Sequence, residues 1–304
     1  MAFDADLIFD RRRLKRQLTF WRIAALVVLA ALVVVAVGRV DDTAPWAGDH
    51  VARLKVEGII FDEAARRQVL KDLAKASHAK ALILHVDSPG GTFVGGEALY
   101  GALREVAAAK PVVAVLGGTA TSAGYMVAAA ADHIVARGGT LTGSIGVILQ
   151  TADLTGLLDK LGIKPEVFKS GDLKAQPNPM EPLSDKARKA TQAVLMELYG
   201  QFVDLVAERR GMPREKVLAL ADGRVVTGRT ALKEGLVDTL GDEAEARAWL
   251  EKAHGIAADT PVHDLRIPGE DAPWRDMLTT QIRKALFSER LRLDGLYSLW
   301  HPSY

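Results

Sequence analysis

Ser122 and Lys174 are the two side chains in this sequence whose types and settings suit covalent chemistry together. Ser122 lies in Gly117-Gly118-Thr119-Ala120-Thr121-Ser122-Ala123-Gly124-Tyr125, small residues between an apolar strand pattern and an Ala-rich helix pattern. Lys174 closes Ser170-Gly171-Asp172-Leu173-Lys174, a turn-like stretch 52 positions downstream. A serine hydroxyl needs an adjacent base before it can attack a carbonyl, and a desolvated, uncharged lysine can be that base. Such an amine must fall from ~10.4 to near 7–8, a shift that burial can supply.

Other chemistry finds less support. The sequence has no Cys, which excludes thiol catalysis, disulfides and Cys-ligated metal. His85 and His133 fall inside predicted strands and read as buried packing residues, His78 sits in a turn, and His50, His254, His263 and His301 lie at element edges or in the tail. No His-x-x-x-His pattern or acidic cluster suggests a metal site, and no cofactor is expected. The net charge of +1 gives no footprint for nucleic acid. Among the lysines, Lys164, Lys169 and Lys174 fall in an ambiguous stretch after Gly162, whereas most others read as surface residues.

The elements that must position Ser122 read as alternating strands and helices, which predicts an α/β domain. Val51–Val56 alternates like a strand, Ala64–Ala76 has helical periodicity, and Ala81–Val86 is an apolar run of the kind found in buried parallel strands. Val94–Ala109 reads as a helix, Val112–Leu116 as a second buried strand and Ala123–Ala131 as a short small-residue helix. Brief strands are expected at His133–Ala136 and Ile145–Ile148, and a helix at Asp153–Leu161. Ser184 is placed to cap a long helix through Arg210, and Thr227–Leu236 and Glu243–His254 complete the domain.

Asp87-Ser88-Pro89-Gly90-Gly91 follows the first buried strand, and Ser122 follows the second. In a parallel sheet both loops emerge at one carboxyl edge. The backbone N–H groups of Gly91 and Ala123 can then converge on a developing oxyanion, each such donor typically contributing ~3–4 kcal/mol. The loop matches neither the dinucleotide fingerprint nor the phosphate-binding P-loop. The competing reading is a plain glycine turn, with Ser122 serving only as a helix cap.

The termini differ from this core. Residues 1–22 carry six basic and three acidic side chains, with Arg11-Arg12-Arg13-Leu14-Lys15-Arg16 preceding an uncharged Ala/Val/Leu run over 23–38. Phe20 and Trp21 suit a membrane interface, and the charge asymmetry predicts a cytoplasmic N-terminus with the remaining chain translocated. Ala36-Val37-Gly38 is a poor cleavage signal, so the run is read as a retained single-pass anchor rather than a cleaved leader. Residues 39–50 read as a linker, 51–255 as the catalytic domain and 256–304 as an amphipathic tail. In that tail Trp274, Met277, Leu278, Ile282 and Leu286 share a helical face, suited to a packing or subunit contact or to a membrane surface.

Taken together, the segments Asp87–Gly91, Ser122-Ala123-Gly124-Tyr125, Thr142-Gly143-Ser144-Ile145-Gly146-Val147 and Ser170–Lys174 resemble those of the signal peptide peptidase A family. Ala221-Asp222-Gly223-Arg224-Val225 and Gly235-Leu236-Val237-Asp238-Thr239-Leu240-Gly241 are similar to that family as well, in the same order, so the resemblance runs from about Val51 to Ala246. It implies a membrane-anchored Ser/Lys peptidase of Clp-protease/crotonase-like fold, built of stacked β-α-β units. By position it implies that Ser122 is the nucleophile, Lys174 the general base, Ser144 the hydroxyl that orients the lysine, and Gly91 an oxyanion-hole glycine.

The resemblance further implies a homo-oligomeric ring in which serine and lysine of one site come from neighbouring subunits. It implies hydrophobic peptide substrates, including remnant signal peptides, and an extracytoplasmic catalytic domain on a bacterial-type inner membrane. The family usually shows Ser-Gly-Gly at the nucleophile; here Ala123 replaces the first glycine, keeping the N–H and adding a methyl group. Two rival readings share the fold: a crotonase-type acyl-CoA enzyme, which needs carboxylates near the oxyanion site and no anchor, and a degenerate membrane scaffold.

Overall fold

The computed structural model describes residues 18–26, 28, 29 and 48–268. Residues 18–26 are helical, with exposed Phe20, Trp21, Ile23 and Leu26. Among the described residues no helix is long and apolar enough to cross a membrane. Residues 30–38 of the expected anchor, most of the linker and the tail helix lie outside the described residues.

Among the described residues, 49–268 form one compact unit. It opens with strand β1 (His50–Ile60), helix α1 (Ala64–Lys75), strand β2 (Ala79–Gly91), helix α2 (Phe93–Ala107), strand β3 (Val112–Thr121) and helix α3 (Ala123–Ala128). Two short strands follow, β4 (His133–Ala136) and β5 (Leu141–Gly143), then helices α4 (Thr155–Lys160), α5 (Asp185–Arg210) and α6 (Arg214–Leu220). Strand β6 (Val225–Thr227), helix α7 (Gly228–Glu234), strand β7 (Thr239–Leu240), helix α8 (Glu243–His254) and strand β8 (Val262–Asp264) complete it.

The sheet is mixed: every pairing is parallel except that of β5 with β6. Along its main path the order is β6-β5-β3-β2-β1-β8. Strand β3 changes partner along one edge. Val113–Leu116 pair with β4, and Thr119–Thr121 pair with β5. The continuous apolar runs of β2 and β3 follow from burial on both faces. Leu82, Leu84, Val86, Ala114 and Leu116 face the larger core with α1, α2 and α3, while Ala81, Ile83, Val113 and Val115 face a smaller core against α8.

Two expectations are corrected. The strand expected over Ile145–Ile148 is absent, and pairing falls instead on Leu141–Gly143. Thr142 seals that ladder by donating from Oγ1 to the Ala120 carbonyl at 2.7 Å, and Ser144 then turns the chain at φ 51°. The sheet also continues past residue 255, where β8 pairs with β1 beside Val51–Arg53. A polar three-residue strand carries almost no periodic signal, so it was legible only in three dimensions. The Ser184 cap forms as expected, its side chain accepting from the Ala187 N–H.

Buried polar groups tie the helices to this sheet. The fully buried Tyr125 hydroxyl donates to the Leu236 carbonyl at 2.8 Å. Arg210 donates to both carboxylate oxygens of Asp238 and to the Gly235 carbonyl, fixing α5 against the turn after α7. His133 stacks on Trp249 with ring centroids 4.9 Å apart and shares a 2.8 Å hydrogen bond with Thr239.

Tyr125→Phe strands a buried acceptor and is predicted to destabilise the chain by ~1–3 kcal/mol, read by denaturant unfolding. A change within 0.3 kcal/mol, on the order of ordinary surface scatter, contradicts that role. Burial holds the His133 imidazole below its ordinary value. The unfolded chain therefore takes up this proton first. Its contribution is full above pH ~6.5 and is lost as pH falls through the lower folded value. Melting temperatures measured from pH 8 to 5 should decline less in His133→Phe than in the parent; an equal decline contradicts the assignment.

Candidate active site

Ser122 sits at the carboxyl end of β3 in a conformation that few L-residues adopt, with φ 54° and ψ −123°. Its N–H donates to the Gly143 carbonyl at 2.9 Å, and its carbonyl accepts from Met126 N–H at 3.0 Å. Although it occupies the cap position of α3, its side chain makes no capping hydrogen bond. The cap reading therefore does not account for this serine. A sharp strand-to-helix turn leaves the hydroxyl half-buried and aimed into open space, the arrangement used by elbow-type nucleophiles.

That space is a cavity of about 750 Å³. Its floor is Pro89, Gly90, Gly91, Ser122 and Ala123, and its walls include Ile59, Phe93, Met126, Leu198 and Phe202. The α5 contributions recur at helical spacing, Thr191, Val194, Leu195, Leu198 and Phe202, so one face of that helix forms the wall. Among the described residues the lining holds no aspartate, glutamate, histidine or lysine. A crotonase-type reaction needs carboxylates here, so that reading has no support in the lining.

The glycine loop meets the serine directly. A methyl group on Gly90 (φ 121°) would lie 2.9 Å from the Ser122 Cβ, and one on Gly91 would lie 2.0 Å from the Ile60 carbonyl oxygen. Glycine is required at both places by close approach. Ala123 is the first residue of α3, and its N–H is among those a helix leaves without an intrahelical partner. Gly91, Ser122 and Ala123 thus line one cavity.

Ser144 is brought alongside. Thr121 pairs with Gly143 in the β3–β5 ladder, so Ser122 and Ser144 are the next residues on adjacent strands. Ser144 (φ 51°) is fixed by its N–H donating to the Arg224 carbonyl at 2.8 Å. Arg224 is held in turn by Asp222, whose carboxyl it lowers to about 2. The Asp222–Arg224 motif therefore supports Ser144.

Lys174 is placed differently. It is exposed, does not line the cavity and has no hydrogen bond to Ser122 within the chain. Its loop is nonetheless shaped: Lys174 N–H donates to Gly171, and Ala175 has φ 59° with its carbonyl accepting from Asn178 Nδ2 at 2.8 Å. Two residues on, Gln176 and Pro177 enter the cavity lining. Lys169 is committed elsewhere, since its ammonium pairs with Glu181 and holds that carboxyl below the usual range. Ser122, Ser144 and Ala175 are the non-glycine residues with positive φ among those described. All three fall on, or next to, the residues singled out from the sequence. The walls from β1 and α5 carry no motif in the sequence; the helical spacing of the apolar residues in α5 is the one signal that could have pointed to its share.

The chain is similar in sequence to known proteases. The profile of peptidase family S49 matches residues 104–257, and that of Clp protease matches residues 53–140. A Synechocystis protein provisionally named a protease is 41% identical over 211 residues, covering 69% of this chain and 76% of that protein. An Enterococcus faecium protein provisionally named signal peptide peptidase SppA is 35% identical over 229 residues, covering 70% of this chain and 66% of its own length. The chloroplastic serine protease SPPA of Arabidopsis thaliana is 34% identical over 243 residues, covering 77% of this chain and 35% of that protein. Among solved structures, a membrane-bound stomatin-specific protease is similar at 17% identity with a TM-score of 0.49, covering 72% of this chain and 99% of that one. The chain belongs to peptidase family S49 and is a serine-type peptidase.

Proposed function

We propose that this peptidase works through a Ser122/Lys174 dyad and cleaves hydrophobic peptides, remnant signal peptides among them, at a membrane to which its N-terminal segment anchors it. The observation that carries the reading is the uncapped Ser122 hydroxyl on a strained turn, opening into an apolar cavity beside two glycines. The Lys174 amine takes the Ser122 proton as Oγ attacks the scissile carbonyl carbon. The carbonyl electrons move to oxygen, where the N–H groups of Gly91 and Ala123 hold the negative charge. Collapse breaks the C–N bond, and the Lys174 ammonium returns its proton to the leaving amine. A water then attacks the acyl-enzyme carbonyl as Lys174 accepts its proton; collapse breaks the C–Oγ ester bond, and Lys174 returns that proton to Ser122 Oγ, releasing the acid product.

Ser144 stands beside Ser122 and orients the lysine in this scheme. Because Lys174 is exposed and apart from the cavity, we assign each Ser122 a lysine from a neighbouring copy. The exposed apolar side chains of the lysine-bearing segment, including Ile148, Leu157, Leu161, Ile163 and Phe168 (95% exposed), favour burial between copies. Stacked β-α-β units of the Clp-protease/crotonase type suit such a ring. Anchoring is supported by the basic cluster before the apolar run and by exposed Phe20 and Trp21 on the helix that leads into it. These features favour an extracytoplasmic site on a bacterial-type inner membrane.

Cleavage of a hydrophobic fluorogenic peptide by the detergent-solubilised chain tests the dyad. Ser122→Ala and Lys174→Ala are each predicted to lose activity on the order of 10⁴-fold or more. Subunits of the two variants, dissociated and reassembled together, should regain a fraction of the parent rate. Full activity in Lys174→Ala sinks the dyad; two inactive variants that never complement place the lysine in the same chain.

A further inference from the structure

The Pro89–Gly90 peptide lies beneath the nucleophile, and side chains hold both of its polar ends. Its carbonyl accepts a 2.9 Å hydrogen bond from Thr121 Oγ1, and its N–H donates to Ser88 Oγ at 3.1 Å. Ser88 is fully buried and also lies 2.6 Å from the Gly58 carbonyl, to which it donates, so the grip extends to the end of strand β1. A second acceptor, the Gly90 carbonyl, lies 3.2 Å away. One hydroxyl proton serves one acceptor well, and the shorter contact is the better one. Thr121 is itself buried and in register with Gly143, immediately before Ser122.

A glycine at φ 121° has wide rotational freedom, and the peptide that follows it carries the Gly91 N–H. Holding the preceding plane by both ends removes most of that freedom. We propose that Thr121 and Ser88 are positioning residues of the oxyanion site: together they fix the Pro89–Gly90 peptide, and through it the aim of the Gly91 N–H relative to Ser122. The proposal rests on reading Ser122 as the nucleophile and Gly91 as an oxyanion donor. A donor aimed at charge that develops only in the transition state acts on kcat and leaves ground-state binding alone.

Thr121→Val keeps the shape of the side chain and removes the hydroxyl. With the full-length solubilised enzyme and a hydrophobic fluorogenic peptide, it should lower kcat by about tenfold or more while KM stays within about twofold. Thr121→Ser should restore most of kcat. Ser88→Ala leaves the buried Gly90 N–H unpaired and should show the same split. The double variant should lose less than the product of the two, because both side chains hold one peptide. If Ser88→Ala does not fold, the Thr121 pair decides the matter alone. A Thr121→Val enzyme with kcat within twofold of the parent, a rise in KM at constant kcat, or equal losses in Val and Ser variants each overturn the proposal. Ser122→Ala measured alongside separates the two levels: an active Ser122→Ala removes the nucleophile reading, whereas an inactive one beside a normal Thr121→Val removes only the positioning role.

Discussion

Much of this site depends on the way β3 divides one edge between two partners. Its first half is occupied by β4, and its last three residues by β5. The second pairing carries the strand past the buried sheet and out to the corner where Ser122 turns, its N–H caught by the Gly143 carbonyl. The same pairing delivers Ser144 beside Ser122. Without β5, neither the left-handed serine nor its neighbour would be held, since a non-glycine residue in such a conformation costs of order 1–3 kcal/mol and persists only when its surroundings over-determine it.

Those surroundings are mostly backbone and small side chains. The end of β2 approaches Ser122 and Ile60 so closely that Gly90 and Gly91 leave no room for a Cβ. Asp87 Oδ1 accepts from Thr119 N–H at 3.0 Å, a second hydrogen bond between the two segments beside that of Thr121 with the Pro89 carbonyl. Larger apolar side chains, those of α5 and Met126 among them, build the cavity walls. In the proposed mechanism the close-packed floor positions charge stabilisation and the apolar walls accept hydrophobic substrate.

The sequence displayed the strands and helices of the core well, because β2 and β3 are continuous apolar runs and α5 has both a period and a cap at Ser184. Two loops at one sheet edge also followed from strand order alone. What stayed hidden was set by pairing rather than pattern. Leu141–Gly143 and Val262–Asp264 are too short and too polar to show a period, yet each takes a place in the sheet. Nor could composition show that Thr121 and Ser88 grip one peptide, since that depends on register between strands. Lys174 stands out in the sequence by its turn-like setting, but no pattern there fixes its position relative to Ser122, and in the single chain its loop is exposed.

The central claim is that Ser122 becomes acylated with the help of Lys174. Mass measurement of the full chain after brief reaction with a hydrophobic p-nitrophenyl ester, followed by peptide mapping, tests it directly. The account predicts a single acyl group on the peptide containing Ser122, and no such adduct in Lys174→Ala over the same interval. Acylation at another residue, or at Ser122 with undiminished rate in the absence of Lys174, would contradict it.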